Sequence, residues 1–492
     1  MRLTRVSGSG EELVSPPSNL PRIVYGRGTF PYVRMSDTEA IMWAVEKDPA
    51  LRSDFCNLTI LEHSPDDDRV RHTLARAVAA IPRLRQRVVS APLRIVPPAF
   101  ADDPTLDLNA HIRRVALPRG HSERALLDLC ASLSELPLDR ARPLWEFTLI
   151  EGLPDGQVAL LQKIHHTITD GVGGLRLSLA FVDFEPGAPQ DAIPTETDVV
   201  DAGDADHGTS LQASRTAVVD ATTRGVGLAR RAIGGTAHML SHPTEVPGRA
   251  VDTVRIAQSL RRQLVHTGAA RSDVMRDRSL SRHFETYTIS LPAVQVTARK
   301  LGGSVNDVYL TGLAGALGRY HARLGSTVES LRLAMPISTR NRNDEAANRF
   351  VPARVLIPIQ PDADPPALFA AVREQLSAAR NESAIGAAEG LAVVLTPLPT
   401  AFLVAMTRAQ ARTTDFAATN LRGSPVPLYI AGERVIASYP FGPRTNTALN
   451  ATLLSYGDDL NLGLNIDPAA ITDIDHFMAD IAYSFEELLG ID

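Results

Sequence analysis

Lys163-Ile164-His165-His166-Thr167-Ile168-Thr169-Asp170-Gly171-Val172-Gly173-Gly174 is the stretch on which the reading of the chain turns. The apolar segment before it, Val158-Ala159-Leu160-Leu161, predicts a buried strand, and Leu175 to Phe181 predicts the start of a helix. Two adjacent histidines therefore stand where a strand gives way to a glycine-rich turn, with a carboxylate four residues after the second. A neutral imidazole can take a proton from a hydroxyl and later return it, a task worth roughly a hundred- to ten-thousand-fold in rate. Asp170 can fix the turn by pairing with a cation or with backbone donors, or it can orient a ring. Gly171 permits a backbone angle or a close approach that a side chain would forbid. The same pattern has plainer readings. One histidine of such a pair is commonly a hydrogen-bonded core residue, and zinc ligation needs further ligands at suitable spacing. Neither His-Glu-x-x-His nor a Cys-x-x-Cys pair occurs, so no metal site is expected.

Working outward, 492 residues suffice for two domains with sizeable cores. Apolar residues at 44% and charged residues at 22% are ordinary for a globular protein. A formal charge of −6 gives no reason to expect nucleic acid as a partner. Cys56 and Cys130 are the two cysteines, which implies no disulfide framework and points to a reducing compartment. Met1 to Pro21 is polar and lacks the apolar segment of a secretory signal. The longest uncharged run, Gly390 to Thr407, is interrupted by Pro397 and Pro399 and diluted by threonines. It predicts a broken helix, buried or lying against lipid, rather than a membrane span.

Residues 1–30 read as an N-terminal tail. Ser36 with Glu39 three residues later forms a capping-box signature for a helix. Cys56 to His63 reads as a strand, Arg69 to Ile81 as an amphipathic helix, and Leu106 to Val115 as a strand. Arg83, Arg85 and Arg87 form a candidate anion site, with a solvated basic face as the commoner explanation. Residues 188–280 have linker composition at first, with scattered Asp, Pro, Thr and Gly. They then become arginine-rich, with apolar residues at helical spacing between Val251 and Leu264. That basic helix suits either an anionic membrane surface or a crossover packed between domains. The second half alternates strands and helices: Phe284–Leu291, Pro292–Lys300, then Gly303-Ser304-Val305-Asn306-Asp307 opening a helix with small residues at Gly312, Ala314, Gly315 and Ala316. Asn306 can present an amide to a substrate or hold a loop, and Asp307 can cap the helix.

His165-His166-x-x-x-Asp170-Gly171 resembles the signature of the CoA-dependent acyltransferase superfamily. Pro143-Leu144-Trp145-Glu146, some twenty residues earlier, is more specific. Together they resemble the bacterial wax ester synthase/diacylglycerol acyltransferase branch. Asn306-Asp307, Thr419-Asn420 and Pro427-Leu428-Tyr429 with Ala431-Gly432 are similar to further elements of that family, in its order over roughly residues 35–490. Arg422 stands where the family usually has a proline.

The resemblance implies an α/β (α+β) fold of two similar acyltransferase-like domains, each a mixed sheet flanked by helices, at 31–187 and 281–492. The site would lie in a channel between them. It implies that His166 is the general base, with His165 supporting ring geometry and Asp170 and Gly171 shaping the turn. Asn306, Asp307, Thr419 and Asn420 are the implied substrate-binding residues, and Trp145 a packing residue. Candidate oxyanion donors are Asn306, Thr419, Asn420 and the backbone near Gly171–Gly174. The expected partners are acyl-CoA, as substrate rather than cofactor, and a hydroxyl acceptor, diacylglycerol or a long-chain alcohol. No cofactor and no metal is expected. The expected location is cytoplasmic, peripheral to a membrane or lipid inclusion. Two other functions stay open on sequence: carrier-dependent condensation in natural-product assembly, and an acyl-CoA- or lipid-binding protein without turnover.

Overall fold

The computed structural model describes residues 33–90, 97–117, 122–170, 174–187, 270–338, 350–361, 363–381 and 400–491. The expected tail 1–30 and most of the basic linker therefore lie outside the described residues. So does the first half of the run 390–407.

In chain order the first half holds β1 (Val33–Arg34), α1 (Asp37–Val45), β2 (Asp54–Leu61), α2 (Asp67–Ala80), β3 (Gln86–Val89) and β4 (Ala99–Asp102). It continues with β5 (Ile112–Ala116), α3 (Glu123–Glu135), β6 (Trp145–Glu151), β7 (Val158–His165), α4 (His166–Asp170) and α5 (Gly174–Ala180). The second half opens with β8 (His283–Ser290), α6 (Leu291–Lys300), α7 (Val305–Arg323), β9 (Ser330–Ser338), β10 (Phe350–Pro358) and α8 (Pro365–Asn381). It closes with α9 (Thr400–Ala411), β11 (Phe416–Leu421), β12 (Tyr429–Ile430), β13 (Glu433–Phe441), β14 (Leu449–Tyr456), β15 (Asp459–Ile466) and α10 (Ile474–Leu489).

Two six-stranded mixed sheets carry the architecture, in the orders β12-β13-β2-β7-β6-β5 and β10-β9-β11-β14-β15-β8. Strand β7 is buried at all eight positions, as an apolar run covered on both faces requires. One face of its sheet packs with α2 and α5 residues such as Leu74 and Leu177, and the other with Leu127 and Cys130 of α3. Helix α1 starts where its capping box dictates: Ser36 Oγ accepts from Glu39 N at 3.2 Å, and Glu39 Oε2 accepts from Ser36 N at 2.7 Å. The small residues of α7 have a packing cause. A Cβ on Gly312 would fall 2.3 Å from the Phe485 ring, and one on Gly315 2.2 Å from Ser484 Oγ, because α10 lies directly on the α7 backbone.

Strand β13 belongs to the second half in sequence and to the first half in space. It pairs antiparallel with β2, with Ser438 opposite Thr59 and Phe441 opposite Cys56. The chain then turns back across β15. A Cβ on Gly463 would meet the Pro440 carbonyl oxygen at 2.0 Å, so glycine is required for the crossing. Asn450 Nδ2 donates to Pro443 O at 2.7 Å, and Asn465 Nδ2 to Gly442 O at 2.9 Å. The Phe284 and Phe441 rings stack at 4.0 Å across the same seam.

Two local readings change. The strand expected from Leu106 begins only at Ile112. Asp107 accepts from Asn109 N at 2.9 Å and caps a single 3₁₀ turn, Leu108–Ala110, ahead of it. The basic cluster is not a solvated face at Arg83 and Arg85. Arg83 is buried, with its guanidinium 3.3 Å from the Phe100 ring centroid and 3.5 Å from Glu39, and Arg85 pairs with Asp102 at 3.2 Å. Among the described residues no helix is long and apolar enough to cross a membrane.

Candidate active site

Strand β7 ends at His165 and α4 begins at His166, so the two histidines sit at the expected strand-to-helix junction. Their surroundings differ completely. His165 is buried, 4% exposed, and both ring nitrogens are engaged. Nδ1 accepts from the Thr167 amide at 3.2 Å and faces Thr167 Oγ1 at 2.8 Å. The proton therefore sits on Nε2, which donates to Glu46 Oε1 at 2.6 Å. The Trp43 ring meets the imidazole edge-on at 6.0 Å. Held this way, His165 has no lone pair left for a substrate.

His166 is anchored by its backbone. Its amide donates to Ser53 O at 3.2 Å, and its carbonyl accepts from Thr169 Oγ1 at 2.7 Å. The ring lies against Phe55, 5.2 Å between centroids. Among the described residues its nitrogens are neither hydrogen-bonded nor sealed, and the side chain is partly exposed. Burial, with the neighbouring His165 acting in the same sense, pulls the imidazole down to about 4. The Glu46 and Asp54 carboxylates act in the opposite sense and favour the imidazolium. The ring is thus neutral near pH 7, and the two carboxylates limit how far burial lowers its proton affinity.

Glu46, the residue following α1, organises this corner and was not singled out by sequence. Its side chain accepts from Ser53 N at 2.9 Å as well as from His165, and it pairs with Arg140 at 3.0 Å. Arg140 in turn lies 4.1 Å from the Trp43 ring centroid. A lone glutamate at a helix end carries no motif, so only the fold could reveal it. Asp54, opposite His165 in the β2–β7 register, pairs with Arg282 at 3.2 Å and lies 3.9 Å from Lys163 Nζ. Arg282 comes from the second half, and its amide donates to Glu135 at 2.6 Å. Trp145 is a packing residue: its Nε1 donates to Leu84 O at 2.8 Å and His111 stacks on it at 4.3 Å. The Asp170 side chain and Gly171 lie outside the described residues.

The second-half candidates gather at the start of α7 and the end of β11. Asn306 Oδ1 accepts from Asn420 Nδ2 at 3.4 Å, and Asn306 Nδ2 is buried without a partner among the described residues. Thr419 is partly exposed on β11, opposite Thr452 of β14. The Asp307 carboxylate caps α7 through Ser304 N and Oγ at 2.9 and 2.8 Å. Among the described residues no hydrogen bond joins this group to either histidine. Past the exposed Arg422, Gly423 lies where a Cβ would meet Ser455 O at 2.0 Å, which fixes that loop against β14. Among the described residues no group of three or more His, Cys, Asp or Glu is placed to hold a metal ion.

Comparison with known proteins follows the same lines. Residues 35–309 match the wax ester synthase/diacylglycerol acyltransferase catalytic domain, and residues 346–489 match the C-terminal domain of that family. The chain is 32% identical over 471 residues, 93% of each chain, to a Mycobacterium tuberculosis protein named "Putative diacyglycerol O-acyltransferase". It is 28% identical over 445 residues to another from that organism named "Probable diacyglycerol O-acyltransferase tgs1", covering 87% of this chain and 89% of the relative. In fold it is similar to the wax ester synthase/diacylglycerol acyltransferase from Marinobacter aquaeolei VT8, with a TM-score of 0.62 at 21% identity, over 93% of this chain and 100% of that one. It is also similar to the first condensation domain of the CDA synthetase, with a TM-score of 0.54 at 14% identity, over 93% and 96% of the two chains. With both family domains matched in order and a relative above 30% identity along nearly its whole length, the chain belongs to the wax ester synthase/diacylglycerol acyltransferase family and is an acyl-CoA-dependent acyltransferase.

Proposed function

We propose that this enzyme esterifies a hydrophobic alcohol, diacylglycerol or a long-chain alcohol, with His166 as the general base. His166 takes the proton of the acceptor hydroxyl. The oxygen attacks the thioester carbonyl of acyl-CoA, the tetrahedral intermediate collapses, and the CoA thiolate leaves and takes up the proton. The observation that carries this reading is the contrast between the two rings. His165 spends both nitrogens on Glu46 and Thr167, whereas His166 stays neutral with its nitrogens open. A low proton affinity weakens a base, and the Glu46 and Asp54 carboxylates limit how far burial lowers it. Asn306 is the favoured donor to the oxyanion among the candidates, because its Nδ2 is a buried amide hydrogen-bond donor with no protein acceptor.

The acceptors would be insoluble, so the reading includes peripheral contact with a membrane or lipid inclusion on the cytoplasmic side. Helix α9 supports that part. Ala401, Phe402, Ala405 and Ala409 are exposed on it while Leu403 packs beneath against α1. The deciding experiment assays purified protein with radiolabelled acyl-CoA and both acceptors, comparing wild type with His166→Ala. Ester formation by wild type that drops at least a hundredfold in the variant supports the role. Undiminished ester formation refutes it. Ester formation only from a carrier-bound acyl group would favour a condensation-type chemistry instead.

A further inference from the structure

Four polar side chains interrupt the apolar sheet face that carries Phe55, the ring packed on His166. Residues two apart on a strand share a face, and so do residues directly opposite each other in neighbouring strands. By register Phe55 stands opposite Ile164, Asn57 opposite Gln162, and Thr59 opposite both Leu160 and Ser438. One face therefore runs from Phe55 to a polar row built from three strands, two of the first half and β13 of the second. Asn57 Nδ2 lies 3.0 Å from each of Thr59 Oγ1, Gln162 Oε1 and Ser438 Oγ. An amide nitrogen has two hydrogens, so it cannot serve all three oxygens at once. Gln162 is 9% exposed, and its Nε2 donates to no group among the described residues. Beyond the polar row the face closes on a water-sized apolar cavity of about 20 Å³ lined by Leu61, Val70, Leu74, Phe147 and Leu160, with Gln162 also on its wall.

The Gln162 amide is mostly buried, yet its Nε2 is not sealed off and has no protein acceptor among the described residues, so it is a candidate for a ligand contact. The Ser438 hydroxyl donates to Asn57 Oδ1 at 3.1 Å, so the donor left over is Gln162 Nε2. We infer that Gln162, held by Asn57, binds an ester carbonyl of the acceptor and so selects diacylglycerol over a long-chain alcohol. The inference rests on the reading of His166 as the base and adds the acceptor class to it. Two residues along β2 span roughly 7 Å, so the polar row stands about that far beyond the Phe55 row. A diacylglycerol carries its ester carbonyls a few bonds from its free hydroxyl, with hydrocarbon beyond them. A hydroxyl at His166 thus sets an ester carbonyl near the level of Gln162, one row beyond Phe55. A long-chain alcohol has hydrocarbon at that level and leaves the amide unpaired. A site built to hydrogen-bond a substrate group disfavours analogues lacking it for this reason.

The test measures kcat/KM for a diacylglycerol and for hexadecanol with one acyl-CoA, in wild type and in Gln162→Met, which keeps length and removes the amide. The diacylglycerol-to-alcohol ratio is expected to fall about tenfold, the effect of losing one good hydrogen bond. Gln162→Leu, a shorter apolar replacement, is expected to lower the ratio in the same direction and serves alone where Gln162→Met does not fold. A merely structural knot would lower both activities together, so a ratio within about twofold of wild type overturns the inference. So does a wild-type enzyme that esterifies hexadecanol and not diacylglycerol. If wild type esterifies neither acceptor from acyl-CoA, the underlying reading of His166 fails instead.

Discussion

Glu46 and His165 are 119 residues apart in sequence, and Glu46 Oε1 accepts from His165 Nε2 at 2.6 Å. The same buried carboxylate accepts from Ser53 N and pairs with Arg140. Replacing Glu46 by alanine strips the acceptor from three donors at once, one of them the His165 ring. Buried donors left without an acceptor typically cost about 1–3 kcal/mol. The expected outcome for Glu46→Ala is a loss of about that size in urea unfolding, together with a fall in kcat. Glu46→Gln keeps the shape and should cost less. A Glu46→Ala protein as stable and active as wild type would remove Glu46 from the account.

The protonation of His166 gives a prediction with a sign. The folded ring titrates at about 4, held down by burial, whereas the unfolded ring titrates near 6.5. Between those values the unfolded chain holds the extra proton, so stability rises with pH across this window and is lost as the solution is acidified through it. The full effect is on the order of 3 kcal/mol and is complete only below about pH 4. His166→Gln removes it. Urea midpoints at pH 7 and pH 5 should therefore fall further for wild type than for His166→Gln, and parallel shifts would contradict the proposed proton affinity. For the same reason activity should hold level from pH 7.5 down to pH 5.5 as far as His166 is concerned.

Asn306 separates binding from chemistry. Its Oδ1 is engaged by Asn420 while its Nδ2 is buried without an acceptor among the described residues. If that nitrogen meets the developing oxyanion, Asn306→Ala should lower kcat about a hundred- to thousandfold with little change in KM. Asn420→Ala should do less, since Asn420 acts by holding Asn306. A rise in KM with kcat intact would make Asn306 a ground-state contact.

What the sequence disclosed and what it hid follow from how far each signal reaches. The strand-to-helix junction at His165-His166, the Ser36 cap and the buried run of β7 are local, and the chain carries each within a few residues, whereas the second-half helix is capped by Ser304 with Asp307 as its capping-box partner rather than by Asp307 alone. The division of labour between His165 and His166 was only implied by resemblance. It becomes physical through Glu46 and Thr167, and Glu46 lies in no motif. Arg83 and Arg85 read as a basic face because their partners Glu39, Phe100 and Asp102 are distant in sequence. The transfer of β13 into the first sheet was hidden for the same reason. Glu433–Phe441 reads as a strand in any sheet, and nothing in its own residues names Cys56 to Leu61 as the neighbour.

That transfer couples the halves and can be tested at one glycine. Gly463 lies on β15 in the second sheet, under Pro440 of β13, where an added Cβ would sit 2.0 Å from a carbonyl oxygen. A backbone atom cannot move aside as a flexible side chain does, so Gly463→Ala should push β13 away from β15 and cost about 1–3 kcal/mol, the usual range for overpacking. Strand β13 is also the neighbour of β2, so the damage should reach the first half. Both tryptophans, Trp43 and Trp145, lie there and are buried in its core, so their fluorescence reports that half alone. The expected result is a tryptophan unfolding midpoint that shifts in step with the midpoint seen by far-ultraviolet circular dichroism. A tryptophan transition that stays at the wild-type midpoint while the dichroism midpoint falls would mean that the exchanged strand does not transmit strain between the two sheets.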